Sequence, residues 1–216
     1  MDTYRYILRK HNISPKHKYV IDIPNMDRDG LADLFAELEF EKGVEVGVEK
    51  GRYSEVLLKA NPNLHLSCVD PWSTLAYAPG IDAVDYEQPL WDKYYEETVY
   101  RLKPYAHRTT IIRDYSVRAS QHFHDNSLDF VYIDGNHDFL NVTQDIDAWK
   151  KKIRPGGILS GHDYAYFSYK KHNHVKRVLE AYTRCYRMIP YFVVGAMEYH
   201  DGWKRDKYRS WFWVKR

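Results

Sequence analysis

Three scarcities narrow what this sequence encodes. Only two cysteines occur in 216 residues, Cys68 and Cys185, far apart in the chain. Two such thiols make no disulfide framework; they fit a reducing compartment, with burial expected for both. No apolar run reaches 18 residues, and the opening MDTYRYILRKHN lacks the apolar core of a secretion signal. A membrane span and a signal peptide are therefore not expected, and a cytoplasmic protein is. The dinucleotide fingerprint G-x-G-x-x-G is also missing, which counts against a nicotinamide-dependent dehydrogenase. Internal repeats and low-complexity segments are absent as well.

The residues that are present describe an ordinary globular chain with one oddity. Hydrophobic residues make up 44% and charged residues 29%, a balance that supports a packed core and one domain over residues 1–216. Twenty Tyr and six Trp exceed what such a core needs, so some should line a pocket or an interface. Residues 150–216 hold 16 Lys+Arg against 5 Asp+Glu. This basic third is either a face for an acidic partner or a set of solvated helix faces.

Periodicity alternates between helix and strand from about residue 27, after an N-terminal extension over 1–26. Helices are expected over Asp27–Leu38, 51–60, Leu90–Leu102, Ser116–His122, Phe139–Ile153 and Val175–Tyr186. Strands are expected over Gly43–Val48, Leu64–Asp70, Thr109–Arg113, Ser127–Asp134 and Ile158–Gly161. Two aromatic strands, Tyr191–Glu198 and Ser210–Lys215, should close the chain as an antiparallel hairpin. The pattern predicts an α/β fold, a doubly wound and mostly parallel seven-stranded sheet of Rossmann-like type. Residues 71–89, rich in proline and without period, read as a lid or substrate loop.

In such sheets ligands bind beyond the carboxyl ends of the strands, where the strand order reverses. The polar residues gather at those ends. GVEVGVEKG, residues 43–51, places Gly47 after an apolar strand and Gly51 at a helix start, which lets backbone pass close to a ligand. Glu45 and Glu49 suit a cationic ligand better than a phosphate. Asp70 ends the second strand in CVDPW and Asp114 the third in IIRDYS. Asp70 can accept ribose hydroxyls or serve an Asp-Pro turn, Asp114 can meet an adenine amine or cap a helix, and Glu45 can contact a ligand or act as a cap.

Strand four ends in Asp134-Gly135-Asn136-His137 and strand five in Gly161-His162-Asp163-Tyr164. Neighbouring parallel strands would bring Asp134, His162 and Asp163 to one point, and clustered carboxylates call for a proton or a divalent cation. A histidine takes a proton near neutral pH, and His137 and His162 both flank these acids in the sequence. Trp72, Tyr77, Tyr164, Tyr166, Phe167 and Tyr169 are candidates to wall an acceptor pocket or to pack under the hairpin.

This order of glycine loop and strand-end acids resembles class I S-adenosylmethionine-dependent methyltransferases over roughly residues 40–165. It is similar in particular to metal-dependent O-methyltransferases of the catechol and macrolide-sugar (macrocin) type. The resemblance implies S-adenosylmethionine at Glu45, Gly47, Gly51, Asp70 and Asp114. It implies a divalent metal at Asp134, His162 and Asp163, with Asp134, His137 and His162 as the catalytic group. His137 stands where the catechol type carries a lysine base, and His162 where those families usually carry Asp. An imidazole there leaves three readings open: a metal such as Mn, Fe, Co, Ni or Zn rather than Mg, a site in which His162 is not a ligand, or no metal. The expected acceptor is a hydroxyl of a small molecule or sugar. Nucleic acid is the less favoured partner, a membrane is not expected, and assembly into a homo-oligomer is left open.

Overall fold

The computed structural model describes residues 2–14, 18–76, 87–166 and 173–216. Helix α1 (Thr3–Lys10) and strand β1 (Val20–Ile23) precede α2 (Arg28–Glu37), whose N-cap Asp27 accepts from the Gly30 N–H. Strand β2 (Lys42–Val46), α3 (Arg52–Ala60), β3 (His65–Asp70) and α4 (Gln88–Leu102) follow. Then come β4 (Thr109–Arg113), the short α5 (Ser116–Ala119), β5 (Leu128–Ile133) and α6 (Phe139–Lys150). Strand β6 (Ile153–Gly161), α7 (Val175–Cys185), β7 (Tyr191–Val194) and β8 (Ser210–Val214) complete the order.

The strands form one sheet in the order β1-β7-β8-β6-β5-β2-β3-β4. All pairings are parallel except those of β8 with β6 and β7. The α/β class and the antiparallel C-terminal strands agree with the sequence patterns, but the described residues form eight strands where seven were expected. The extra one is β1, which pairs with β7; four residues with only two buried, Ile21 and Ile23, carry too short a period to stand out. Residues 154–157, between the expected helix Phe139–Ile153 and the expected strand Ile158–Gly161, are instead part of β6, which runs nine residues. A register shift between Leu128 and Phe130 on the neighbouring strand accommodates it.

Burial follows the pleat. On β5, Phe130 and Tyr132 face one apolar layer with α2 and α3, while Val131 and Ile133 face the other with α6 and α7. Cys68 is buried and Cys185 exposed, both free, which corrects the expectation that both are buried. Among the described residues no helix is long and apolar enough to cross a membrane.

One buried acid ties stability to pH. Asp145 on α6 is 5% exposed, and burial lifts its carboxyl to about 7, against a smaller downward pull from the Ser116 hydroxyl. The folded state thus holds this proton more tightly than the unfolded chain. Its contribution is full below about pH 4 and is lost as pH rises through about 7. Asp145→Asn should therefore be more stable than the parent at about pH 8, by on the order of 2–4 kcal/mol, and equal to it near pH 4. Parallel thermal melts read the difference; a gap that does not change with pH would refute it.

Candidate active site

The strand order reverses between β2 and β5, because β3 and β4 lie to one side and β6 to the other. That reversal opens the crevice where ligands bind in open α/β sheets. Gly47 and Asp134 stand on its two lips. The Asp134 N–H donates to Val46 O at 2.7 Å, and a Cβ on Gly47 would lie 2.1 Å from Asp134 O. Gly47 also has φ +85 and Gly51 φ +68, a region that glycine enters without penalty.

The glycine loop is held from below. Asp70 Oδ2 accepts from the Val48 and Glu49 N–H groups at 2.9 and 3.0 Å, and Oδ1 from the Trp72 N–H at 2.7 Å. Glu49 O in turn accepts from Trp72 Nε1 at 2.7 Å and Thr98 Oγ1 at 3.0 Å. Glu45 is 1% exposed and accepts from the Ser54 hydroxyl. Burial pushes its carboxyl up to about 8, although Ser54 and Arg28 pull the other way. Asp114 sits apart at the end of β4, where Oδ1 accepts from the Tyr115 N–H and pairs with Arg118.

Strands β5 and β6 bring the second group together, since the His162 N–H donates to Ile133 O at 3.0 Å. His162 Nδ1 lies 3.7 Å from Asp134 Oδ1 and 3.4 Å from Asp163 Oδ2, and His137 Nε2 lies 3.1 Å from the same Asp163 oxygen. Asp163 adopts φ +60, outside the usual range for a non-glycine residue. Burial opposes charge on His162, but Asp134 and Asp163 outweigh it and raise its pKa to about 9. Burial likewise opposes charge on Asp134, yet His162, His137 and Arg28 hold it well below the usual carboxylate range.

Two members of this cluster escaped the sequence patterns. Arg28, the first residue of α2, has Nη1 3.3 Å from Asp134 Oδ2 and lies over the Tyr53 ring at 4.0 Å. Asp206, between β7 and β8, has Oδ1 4.0 Å from His162 Nε2. The first could have been read from topology, because a helix that leads into a parallel strand starts at the crevice edge. The second lies in a segment without period. Of the aromatic candidates, Trp72 is fully buried under the glycine loop and Tyr164 is 4% exposed, its hydroxyl 3.0 Å from that of Tyr191. Both belong to the packing. Tyr166 is exposed, and Tyr77, Phe167 and Tyr169 lie outside the described residues.

Three side chains of the cluster face one another as a divalent cation's ligands would. Asp134, His162 and Asp163 offer atoms within 4.8 Å of one another, slightly wider than the span of about 4 Å between two ligands of one first-row ion, so an ion between them would draw the three side chains together. Arg28 takes Asp134 Oδ2 and leaves Oδ1 turned toward the histidines. Two carboxylates and one imidazole fit a borderline first-row ion better than Mg²⁺.

A family described as "methyltransferase domain" matches residues 44–164, the stretch from within β2 to Tyr164. No curated protein matches the sequence. Among solved structures, cofactor-bound Rv0187 from MTB is 16% identical, with a TM-score of 0.61 over 88% of this chain and 79% of its own. The O-methyltransferase from Bacillus cereus, in complex with SAH, is 13% identical, with a TM-score of 0.60 over 99% and 87%. An rRNA methylase from Streptococcus thermophilus is 12% identical, with a TM-score of 0.57 over 86% and 93%. At such identities the likeness is one of fold, and a fold does not by itself fix the acceptor.

Proposed function

This chain belongs to the methyltransferase-domain family and is a S-adenosylmethionine-dependent methyltransferase; from that premise we propose that it methylates a hydroxyl oxygen of a small molecule or sugar. The observation that carries this reading is the group Asp134, His137, His162 and Asp163 beside Gly47. Transfer to an oxygen requires an acceptor held in line with the methyl group and relieved of its proton. The cluster offers both functions within one crevice.

In this reading His137 takes the hydroxyl proton, and the Asp163 carboxylate, 3.1 Å from Nε2, stabilises the imidazolium that forms. His162 and Asp134 fix Asp163 and the crevice wall. A divalent cation, held by Asp134, His162 and Asp163, would supply Lewis acidity that lowers the acceptor hydroxyl's pKa. The residues assigned to the cofactor divide their work. Gly47 lets the loop pass close to the Asp134 backbone and Gly51 lets α3 start against Thr98, Glu45 and Asp70 support the loop from beneath, and Asp114 stands at the adenine end.

The test is transfer of labelled methyl groups from S-adenosylmethionine to a panel of catechols, sugars and ribosomal RNA, with and without a chelator. Label is expected in a hydroxyl-bearing small molecule and to fall when the metal is removed. Label found solely in RNA would overturn the acceptor class, and full activity under chelation would remove the metal. His137→Ala should lower kcat by about 10²-fold, the size of a lost general base. S-adenosylhomocysteine affinity, measured by calorimetry, should stay at the parent value; undiminished turnover would take the base role from His137.

A further inference from the structure

Asp206 has no place in the roles assigned so far, although its surroundings hold it firmly. The chain leaves β7 through Gly195, at φ +83, and a Cβ on Gly195 would lie 2.6 Å from Asp206 Cβ. Asp206 N–H donates to Ala196 O at 2.9 Å, and Oδ1 accepts from the Tyr208 and Arg209 N–H groups at 3.0 and 2.9 Å. Arg209 Nε donates to Gly195 O at 2.9 Å, and its guanidinium pairs with Asp22 next to β7. The carboxylate is thus fixed by its own segment and 13% exposed. It faces His162 Nε2 across 4.0 Å, about 1 Å more than a hydrogen bond. At that separation the two groups stand within ion-pairing distance.

The two ring nitrogens of His162 therefore meet different company. Nδ1 looks toward Asp134 Oδ1 and Asp163 Oδ2, and Nε2 toward Asp206. A neutral imidazole donates from one nitrogen and offers a lone pair from the other, and the hydrogen bond at one nitrogen sets the tautomer. A cation between Asp134 and Asp163 needs the Nδ1 lone pair, which places the proton on Nε2. A carboxylate that receives that N–H is the usual outer partner of a ligating histidine.

We propose that Asp206 is a positioning residue that holds the His162 proton on Nε2 and presents Nδ1 as a ligand between Asp134 and Asp163. It thereby biases the site toward Mn²⁺, Co²⁺ or Zn²⁺ over Mg²⁺. The inference rests on the metal reading above and adds to it the residue that makes an imidazole serve there. Asp206→Asn is the informative variant, because its amide oxygen still accepts from Tyr208 and Arg209 while the charge is gone.

The experiment is a Co²⁺ titration of the intact protein, read by calorimetry and by the visible cobalt band. The parent should bind Co²⁺ at least ten-fold more tightly than Mg²⁺. Asp206→Asn should lose about 10- to 100-fold in Co²⁺ affinity, with S-adenosylhomocysteine affinity unchanged. A variant with the parent's cobalt affinity and spectrum would overturn the role of Asp206 and leave the metal site standing. A parent that takes up no Co²⁺ would overturn the metal reading and the inference with it. Nitrogen-15 spectra of the zinc-loaded parent give a check independent of any variant. His162 should appear as the Nε2–H tautomer, and the Nδ1–H tautomer would refute the proposal.

Discussion

Gly47→Ala should abolish measurable S-adenosylhomocysteine binding and destabilise the fold by roughly 3 kcal/mol or more. Two costs add. A Cβ at φ +85 enters the left-handed region, worth about 1–2 kcal/mol for a side chain other than glycine. The same Cβ would lie 2.1 Å from Asp134 O, 2.4 Å from Asp134 C and 2.6 Å from Gly135 N, all backbone atoms. No side chain can swing aside, so the two lips of the crevice must part. The crevice entrance and the catalytic cluster should suffer together, because Asp134 belongs to both. Calorimetric titration and thermal melting of the variant check this. Parent-like affinity would show that the loop does not hold the cofactor.

Asp134→Asn should leave the fold nearly intact and lower turnover by about 10²-fold or more, because it takes one carboxylate from the proposed metal site and the charge beside His162. The amide keeps the carboxylate's shape but removes the charge that His162 Nδ1 and Arg28 Nη1 face at 3.7 and 3.3 Å. His162 then loses the largest influence raising its pKa to about 9. Uptake of a divalent cation should fall with turnover, while S-adenosylhomocysteine affinity should change by less than about three-fold, since Asn removes no loop contact. Alanine is the poorer choice, because it also removes the oxygen that an amide would still offer to Arg28. Turnover within about ten-fold of the parent would remove Asp134 from the chemistry.

Much of the frame was legible in the chain because its signals are periodic and local. Leu31, Leu34 and Phe35 mark the buried face of α2, and Val142, Ile146 and Trp149 that of α6. The apolar run LDFVYI reads as a strand covered on both faces, and β5 is one. The acids at strand ends were visible as breaks between apolar runs, and parallel order alone placed Asp134 beside His162. Strand β1 was not legible, because four residues at a sheet edge carry little pattern.

The sequence by itself determined the α/β order, the glycine loop and the convergence of Asp134, His162 and Asp163, because alternation and strand-end polarity follow from backbone geometry. Only the tertiary structure decided what each acid touches. Asp70 turns under the loop to hold Val48 and Glu49, and Glu45 lies buried against Ser54. Arg28 and Asp206 reach the cluster from 106 residues before and 72 residues after Asp134. Such contacts depend on helix starts and a long excursion folding back over the sheet. No local pattern encodes where a segment of that kind comes to rest; it is settled by the packing of the whole chain.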